Sequence, residues 1–249
     1  MDWRIGCSGF HYVDWKEIFY PAGLSQSKWF DYYSRHFNTL ELNVTFYRFP
    51  QLKFLQNWYR QSPAGFDFSV KAPRLITHYK QFSDVKRLLS DFYGTSRDGL
   101  QEKLGCILFQ LPSRMKYNRD LLTKIIDTLD LSFRNVIEFR DESWWKISVY
   151  KELSKHNISF CGMSHPHLPD KVISNTKIVY YRFHGSPKLY YSQYKRRFIE
   201  QVASQILAEK KITQAYLYFN NTARIGAIRN ARYLQGIVKR QTADGKHES

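Results

Sequence analysis

The chain has 249 residues, with 38 Lys and Arg against 22 Asp and Glu for a formal net charge of +16, and a 43% hydrophobic and 17% aromatic share. That length suits one barrel domain, and that composition belongs to globular proteins and excludes a low-complexity or disordered chain. No apolar run approaches the roughly 20 residues that cross a membrane, and the opening MDWRIGCSGF enters a strand-like pattern with no room for a secretory leader, so a cytoplasmic protein is expected.

In chain order, strand-like apolar runs fall at 3–7, 39–43, 66–71, 106–110, 136–140, 158–162, 178–184 and 215–220. Between them lie SKWFDYYSRHF, LKFLQNWYRQ, SDVKRLLSDFY, RDLLTKIIDTLD, SWWKISVYKELSKH and SQYKRRFIEQVASQILAEKK, several with apolar residues at helical spacing, and a last helix is expected over 224–238. Strands alternating with helices, without hairpin signals, predict parallel strands joined by crossovers. Eight such units close into an α/β fold, a TIM-like (β/α)8 barrel. One domain is expected over 1–240, followed by a flexible polar tail over 241–249. Between the sixth and seventh strands, MSHPHLPDKVISNTK carries Pro166 and Pro169, which disfavour a helix, so an irregular or missing helix is expected there. His165 and His167 in that segment have no acidic partner nearby in sequence and read as loop residues.

Cys7, Cys106 and Cys161 are odd in number and widely separated, each in or at the end of a strand-like run. They read as small buried hydrophobes and not as a disulfide framework, and no CxxC or Cys/His spacing suggests structural zinc.

A polar pair closes strand after strand: Glu41 and Asn43, Ser69 and Lys71, Glu138 and Arg140, Arg182 and His184. Residues two apart in a strand share a face, so these groups collect at one mouth of the barrel. The net charge favours anionic partners, and nucleic acid is one of them, although the basic residues are scattered and no helix-turn-helix, zinc-finger or RNA-binding signature is present.

The blocks GCSGFHYVDWKEIFYP, FNTLELNVTFYRFP, FSVKAPRLITH, LFQLP, EFRDESWW, YYRFHG and YLYFNN, in this order, resemble the YecE-like family, also called domain of unknown function seventy-two. The likeness covers nearly the whole chain. It implies a TIM-like barrel and assigns no reaction; a kinship with sugar isomerases is an analogy. Carried over position by position, it implies polar blocks at Glu41, Asn43 and Tyr47, at Lys71, Thr77 and His78, and at Gln110. The blocks continue at Glu138, Arg140 and Trp144, at Arg182 and His184, and at Asn220 and Asn221. All fall at the carboxyl ends of strands, where such barrels hold their sites.

Read as chemistry, Glu41 and Glu138 supply carboxylates, and Lys71, Arg140 and Arg182 supply positive charge, so the mouth should attract a phosphate or carboxylate. Trp144, Tyr47 and tyrosines such as Tyr191 offer flat surfaces for a ring. The expected function is acid/base chemistry on an anionic, ring-bearing small molecule, such as a phosphorylated sugar or nucleotide. Glu138 would be the base and His184 or Lys71 the acid, and Glu138→Gln should stop turnover with the fold intact. Three alternatives stand beside this. The charges form a satisfied ion-pair network that closes the barrel; the barrel binds nucleic acid, with or without catalysis; or it is a metal-dependent, sugar-isomerase-like enzyme. A divalent metal would have only Glu41, Glu138 and His184 as ligands amid cations, and no cofactor is expected. Trp144 also reads as packing and Asn220-Asn221 as a turn. A Schiff-base role for Lys71 requires a depressed pKa in an apolar setting. Nothing in the sequence singles out a protein partner.

Overall fold

The computed structural model describes residues 1–244. Its strands are β1 (Asp2–Ser8), β2 (Thr39–Leu42), β3 (Asp67–Lys71), β4 (Leu104–Gln110), β5 (Asn135–Glu138), β6 (Ser159–Ser164), β7 (Ile178–Phe183) and β8 (Gln214–Phe219). They pair in sequence order, all parallel, and β8 returns to β1 to close the barrel. The helices are α1 (Trp29–Ser34), α2 (Val44–Tyr47), α3 (Leu52–Gln61), α4 (Lys86–Leu100), α5 (Arg119–Thr128), α6 (Ile147–Lys155), α7 (Arg196–Leu207) and α8 (Gly226–Asp244). The α/β TIM-like barrel expected from alternation is the fold observed. The last helix runs to Asp244, into the segment read as tail, and residues 245–249 lie outside the described residues.

Local chemistry trims several expected elements. The helix expected from SWWKISVYKELSKH starts only at Ile147, because Asp141 caps a 3-10 turn over Glu142–Trp144, its carboxylate accepting from the Ser143 amide at 3.0 Å. Two short elements at the mouth were not foreseen: α2, and a π-turn over Leu75–Tyr79 after β3. As expected, no helix joins β6 to β7. The segment packs directly on the barrel instead, with Lys171 bridging Met163, and a Cβ on Gly162 would fall 2.6 Å from the Lys171 carbonyl oxygen. Glycine at 162 is what allows the loop to lie where a helix would stand.

Most apolar side chains pack between the sheet and its helices, in one continuous cluster. The barrel interior is separate and holds Cys106, Leu108, Val136, Cys161, Tyr180, Tyr216 and Tyr218. Tyrosines fill space where branched aliphatics usually sit, and each buried hydroxyl finds a partner. Tyr216 Oη donates to Asp67 at 3.0 Å, and Tyr218 Oη lies 2.9 Å from Ser69 Oγ and 2.6 Å from Thr39 Oγ1. Tyr180 Oη donates to Glu41 at 2.6 Å. Rising along β7 and β8 two residues at a time, this tyrosine layer leads to Arg182, His184 and Asn220 at the mouth.

Candidate functional site

The floor of the mouth is an ionic network with no exposed member. Arg182 divides its guanidinium between two carboxylates: Nη1 donates to Glu138 Oε2 and Nη2 to Glu41 Oε1, both at 2.6 Å. Glu41 receives Tyr180 on its other oxygen, and Glu138 receives the Arg140 Nε on its own. The Cys161 thiol lies 3.8 Å from Glu138. Burial alone would raise the Glu138 pKa, but Arg140 and Arg182 outweigh it and hold the carboxyl well below its ordinary range. Burial pushes the Tyr180 hydroxyl up, and the Glu41 charge pushes it further, so it remains a donor. Two carboxylates and two guanidiniums thus cancel, and Glu138 is too weakly basic to be the proton acceptor expected of it.

Lys71 stands apart from this network. The residue is 8% exposed, and its amine donates to Gln110 Oε1 at 2.7 Å and sits 4.0 Å above the Phe46 ring; among the described residues it makes no ion pair. Burial, then the nearby Arg182, lower its pKa to about 7, against the opposing pull of Glu138 and Glu41. Near neutral pH this amine is divided between its two protonation states.

His184 is the second candidate for proton transfer. It is fully buried, and burial and Arg140 depress its pKa well below the ordinary imidazole value, so the ring is neutral. Nε2 is faced by both a guanidinium nitrogen and a carboxylate oxygen, Arg140 Nη2 at 3.2 Å and Glu138 Oε1 at 3.5 Å. The Asn220 side-chain Nδ2 lies 2.9 Å from Nδ1 and donates to it in the tautomer whose Nε2–H faces Glu138. The ring is a neutral imidazole and not an imidazolium.

The remaining expected residues divide. His78, on the π-turn, is half-buried beside Thr77 Oγ1 at 2.8 Å and packs edge-on against Phe46 at 5.0 Å. Burial, then Lys71, Arg114, Arg140 and Arg74, lower its pKa to about 4, which makes it a neutral ring ringed by cations. Asn43 lies at the mouth with its Oδ1 buried and unpartnered. Tyr47 is 65% exposed, with Arg74 5.6 Å from its ring and 5.5 Å from that of Tyr79. Tyr191 is exposed on the loop after β7, under Lys188 at 4.6 Å. Trp144 has no free face: it is fully buried, stacked on Phe139, and its Nε1 donates to the Met115 carbonyl at 2.7 Å. Asn221 is likewise buried, its amide tied at 3.0 Å to both Ser192 O and Asn230 Oδ1, where it joins the β7 loop to α8. Both are packing and not substrate contacts, because the chain turns them beneath the rim.

Several site residues escaped the sequence reading. Tyr180 was legible as the residue two before Arg182 on β7. His165, taken as a loop residue, packs edge-on to His184 at 5.8 Å, and burial and Arg140 lower its pKa to about 4. Arg114, after β4, donates to the His78 carbonyl at 2.6 Å. Beside the mouth a cavity of about 490 Å³ is walled by Phe10, Leu42, Phe54 and Trp58, with Glu41 and Asn43 among its polar residues.

The ligand set weighed for a divalent metal does not fit one, since Glu41 and Glu138 already spend their oxygens on guanidiniums and Tyr180. Among the described residues no group of three or more His, Cys, Asp or Glu side chains converges to hold an ion. No described helix is long and apolar enough to cross a membrane.

A closed ring of eight parallel strands with its polar side chains gathered at the carboxyl ends defines a TIM-like barrel protein with a mouth site. Residues 4–248 match the family model described as "Protein of unknown function DUF72", and the chain belongs to that family. Among curated relatives it is 31% identical over 110 residues to UPF0759 protein YecE of Escherichia coli (strain K12), covering 43% of this chain and 40% of that protein. It is 28% identical over 160 residues to UPF0759 protein YunF of Bacillus subtilis (strain 168), covering 59% and 54%. The chain therefore matches about half the length, or less, of these relatives. A DUF72 family protein of Thermotoga maritima MSB8 superposes with a TM-score of 0.87 at 26% identity, over 96% of this chain and 100% of that one. A DUF72 family protein of Enterococcus faecalis V583 gives 0.81 at 16% identity over 95% of each, a likeness of fold.

Proposed function

We propose that the chain is an enzyme that performs acid/base chemistry on a small anion bearing a ring, at the carboxyl-end mouth of the barrel, with Lys71 and His184 transferring protons. The carrying observation is Lys71, an amine buried at a strand end, without a carboxylate partner and with a pKa near 7. A group that holds a proton about half the time can both take and return one. The neutral His184, between Glu138, Arg140 and Asn220, is the second group through which a proton can pass. Glu138, Glu41 and Arg182 hold the floor rigid and charged, and in this reading they position the reacting groups without exchanging protons themselves.

The substrate's charge is argued from what the network leaves uncancelled. With Arg140 and Arg182 answered by Glu138 and Glu41, the surplus comes from Lys71, Arg74 and Arg114, which gather around His78. Arg114 and Arg74 offer planar forks to a phosphate or carboxylate. Phe46 and Tyr47 give the ring a surface to lie on. The test is a thermal-shift survey of phosphorylated and carboxylated sugars and nucleotides against their neutral parents. An anionic compound should raise Tm by several degrees in the wild type and by less in Arg114→Ala. Neutral parents that stabilise as well as the anions would overturn the reading.

A nucleic-acid strand is the second reading, supported by the exposed Arg74 between Tyr47 and Tyr79 and by Lys188 over Tyr191. Cation and aromatic face side by side suit a phosphate and its neighbouring base.

A further inference from the structure

We infer that Lys71 is an amine nucleophile that condenses with an aldehyde or ketone carbon of the anionic substrate to form an imine. The inference deepens the proposed mouth site and rests on it.

The geometric case comes from comparing Lys71 with Lys103, the two buried lysines among the described residues. Lys103, 9% exposed, places its Nζ 2.7 Å from Ser62 O, 2.8 Å from Tyr59 O and 2.9 Å from Ser62 Oγ. Three acceptors for three hydrogens is what a permanent ammonium needs, and Lys103 is a structural cation. Lys71, equally hidden, has one acceptor, Gln110 Oε1, and otherwise meets the apolar face of Phe46. An ammonium there would have one oxygen acceptor and the π face of Phe46 in place of three oxygens, whereas a neutral amine donates one hydrogen to Gln110 and keeps its lone pair available. The charged groups around it are Arg182 on β7, Glu138 and Arg140 at the end of β5, Glu41 on β2 and His78 on the π-turn; the two guanidiniums oppose protonation and the two carboxylates favour it. Burial and the guanidiniums prevail. Arg74 and Arg114, which lie around the neighbouring His78 and are not answered by the two carboxylates, are left to attract the anion that brings the carbonyl carbon.

The step balances without an outside reagent. The Nζ lone pair bonds to the carbonyl carbon while the C=O π pair moves to oxygen, and the proton lost by nitrogen passes to that oxygen. The resulting carbinolamine then expels its hydroxyl with a second proton from nitrogen as water, leaving C=N. No oxidant or reductant is consumed.

The test uses the full chain and two probes: glyoxylate, a small carboxylated aldehyde, and pyridoxal 5′-phosphate, a phosphorylated ring aldehyde. Each is incubated near pH 7 with cyanoborohydride, which reduces an imine to a stable amine, and the labelled lysines are mapped by peptide mass. Lys71 should label at least about tenfold faster than surface lysines, whose amines are almost wholly protonated at that pH, and inorganic phosphate should slow it. Lys71→Met, checked for folding by its melting curve, should lose only that label. If neither probe labels Lys71 while phosphate still raises Tm, the inference fails and the anion site stands. If phosphate and the anionic compounds also leave Tm unchanged, both fail.

Discussion

Arg182 Nη1 and Glu138 Oε2 meet at 2.6 Å inside the barrel, one residue from β7 and one from β5, with Cys161 of the intervening β6 alongside. Because both are buried, removing Arg182 leaves Glu41 without a cation and removing Glu138 leaves Arg140 without a carboxylate, imbalances that cost about 3–5 kcal/mol. Arg182→Gln and Glu138→Gln should each lower the urea midpoint accordingly. The sequence reading expected Glu138→Gln to spare the fold; the network makes it a stability mutant. Variants that unfold at the wild-type midpoint would show that the pair is not held out of water.

Tyr180 carries a smaller share of the same floor. Its hydroxyl donates to the Glu41 carboxylate, a charge-assisted bond. Tyr180→Phe should destabilise by about 1.5–3 kcal/mol, measured by denaturant titration, with little change in secondary structure by circular dichroism.

Lys71 makes stability depend on pH in a defined direction. Its pKa falls from an ordinary lysine value to about 7 in the folded state. Between about pH 7 and pH 10 the unfolded chain therefore binds the extra proton, and stability rises with pH by up to about 1.4 kcal/mol per pH unit in the middle of that window. Below about pH 7 the burial penalty is present in full. Compared with Lys71→Met, which lacks the titration, the wild type should gain stability from pH 7 to 9. A constant difference across that range would place the amine's pKa outside it.

Trp144 and Tyr47 separate packing from rim. Trp144→Ala empties a fully buried site stacked on Phe139 and should cost about 3–5 kcal/mol. Tyr47→Ala, at an exposed position, should change stability by less than about 0.5 kcal/mol. An anionic ring compound found in the thermal survey should bind more weakly to Tyr47→Ala. Equal affinity in that variant would remove Tyr47 from the site.

The nucleic-acid reading is testable at residues that leave the floor alone. Arg74→Ala and Lys188→Ala should each weaken oligonucleotide binding and reduce the salt slope by about one, measured by fluorescence anisotropy. Binding that ignores both substitutions would assign any affinity to the general surface charge.

Much of this molecule follows from local pattern. Short apolar runs read as strands, helix-spaced segments between them and two prolines after β6 suffice for the closed parallel barrel and its one missing helix. Their position at the strand ends places Glu41, Lys71, Glu138, Arg182 and His184 at one end, because side-chain direction in a strand is a local property. Which of those groups cancel is not local. Coulomb energy and desolvation depend on distances across the barrel, and closure set those distances: Arg182 reaches both carboxylates, while Lys71 is left with an amide and a ring. Trp144 turned under the rim because Asp141 capped a turn, and His165 joined the site because a helix-free loop lies over β6. The sequence by itself determined the barrel and the composition of its mouth. The tertiary structure decided which charges are spent on holding the floor together and which group stands outside that network.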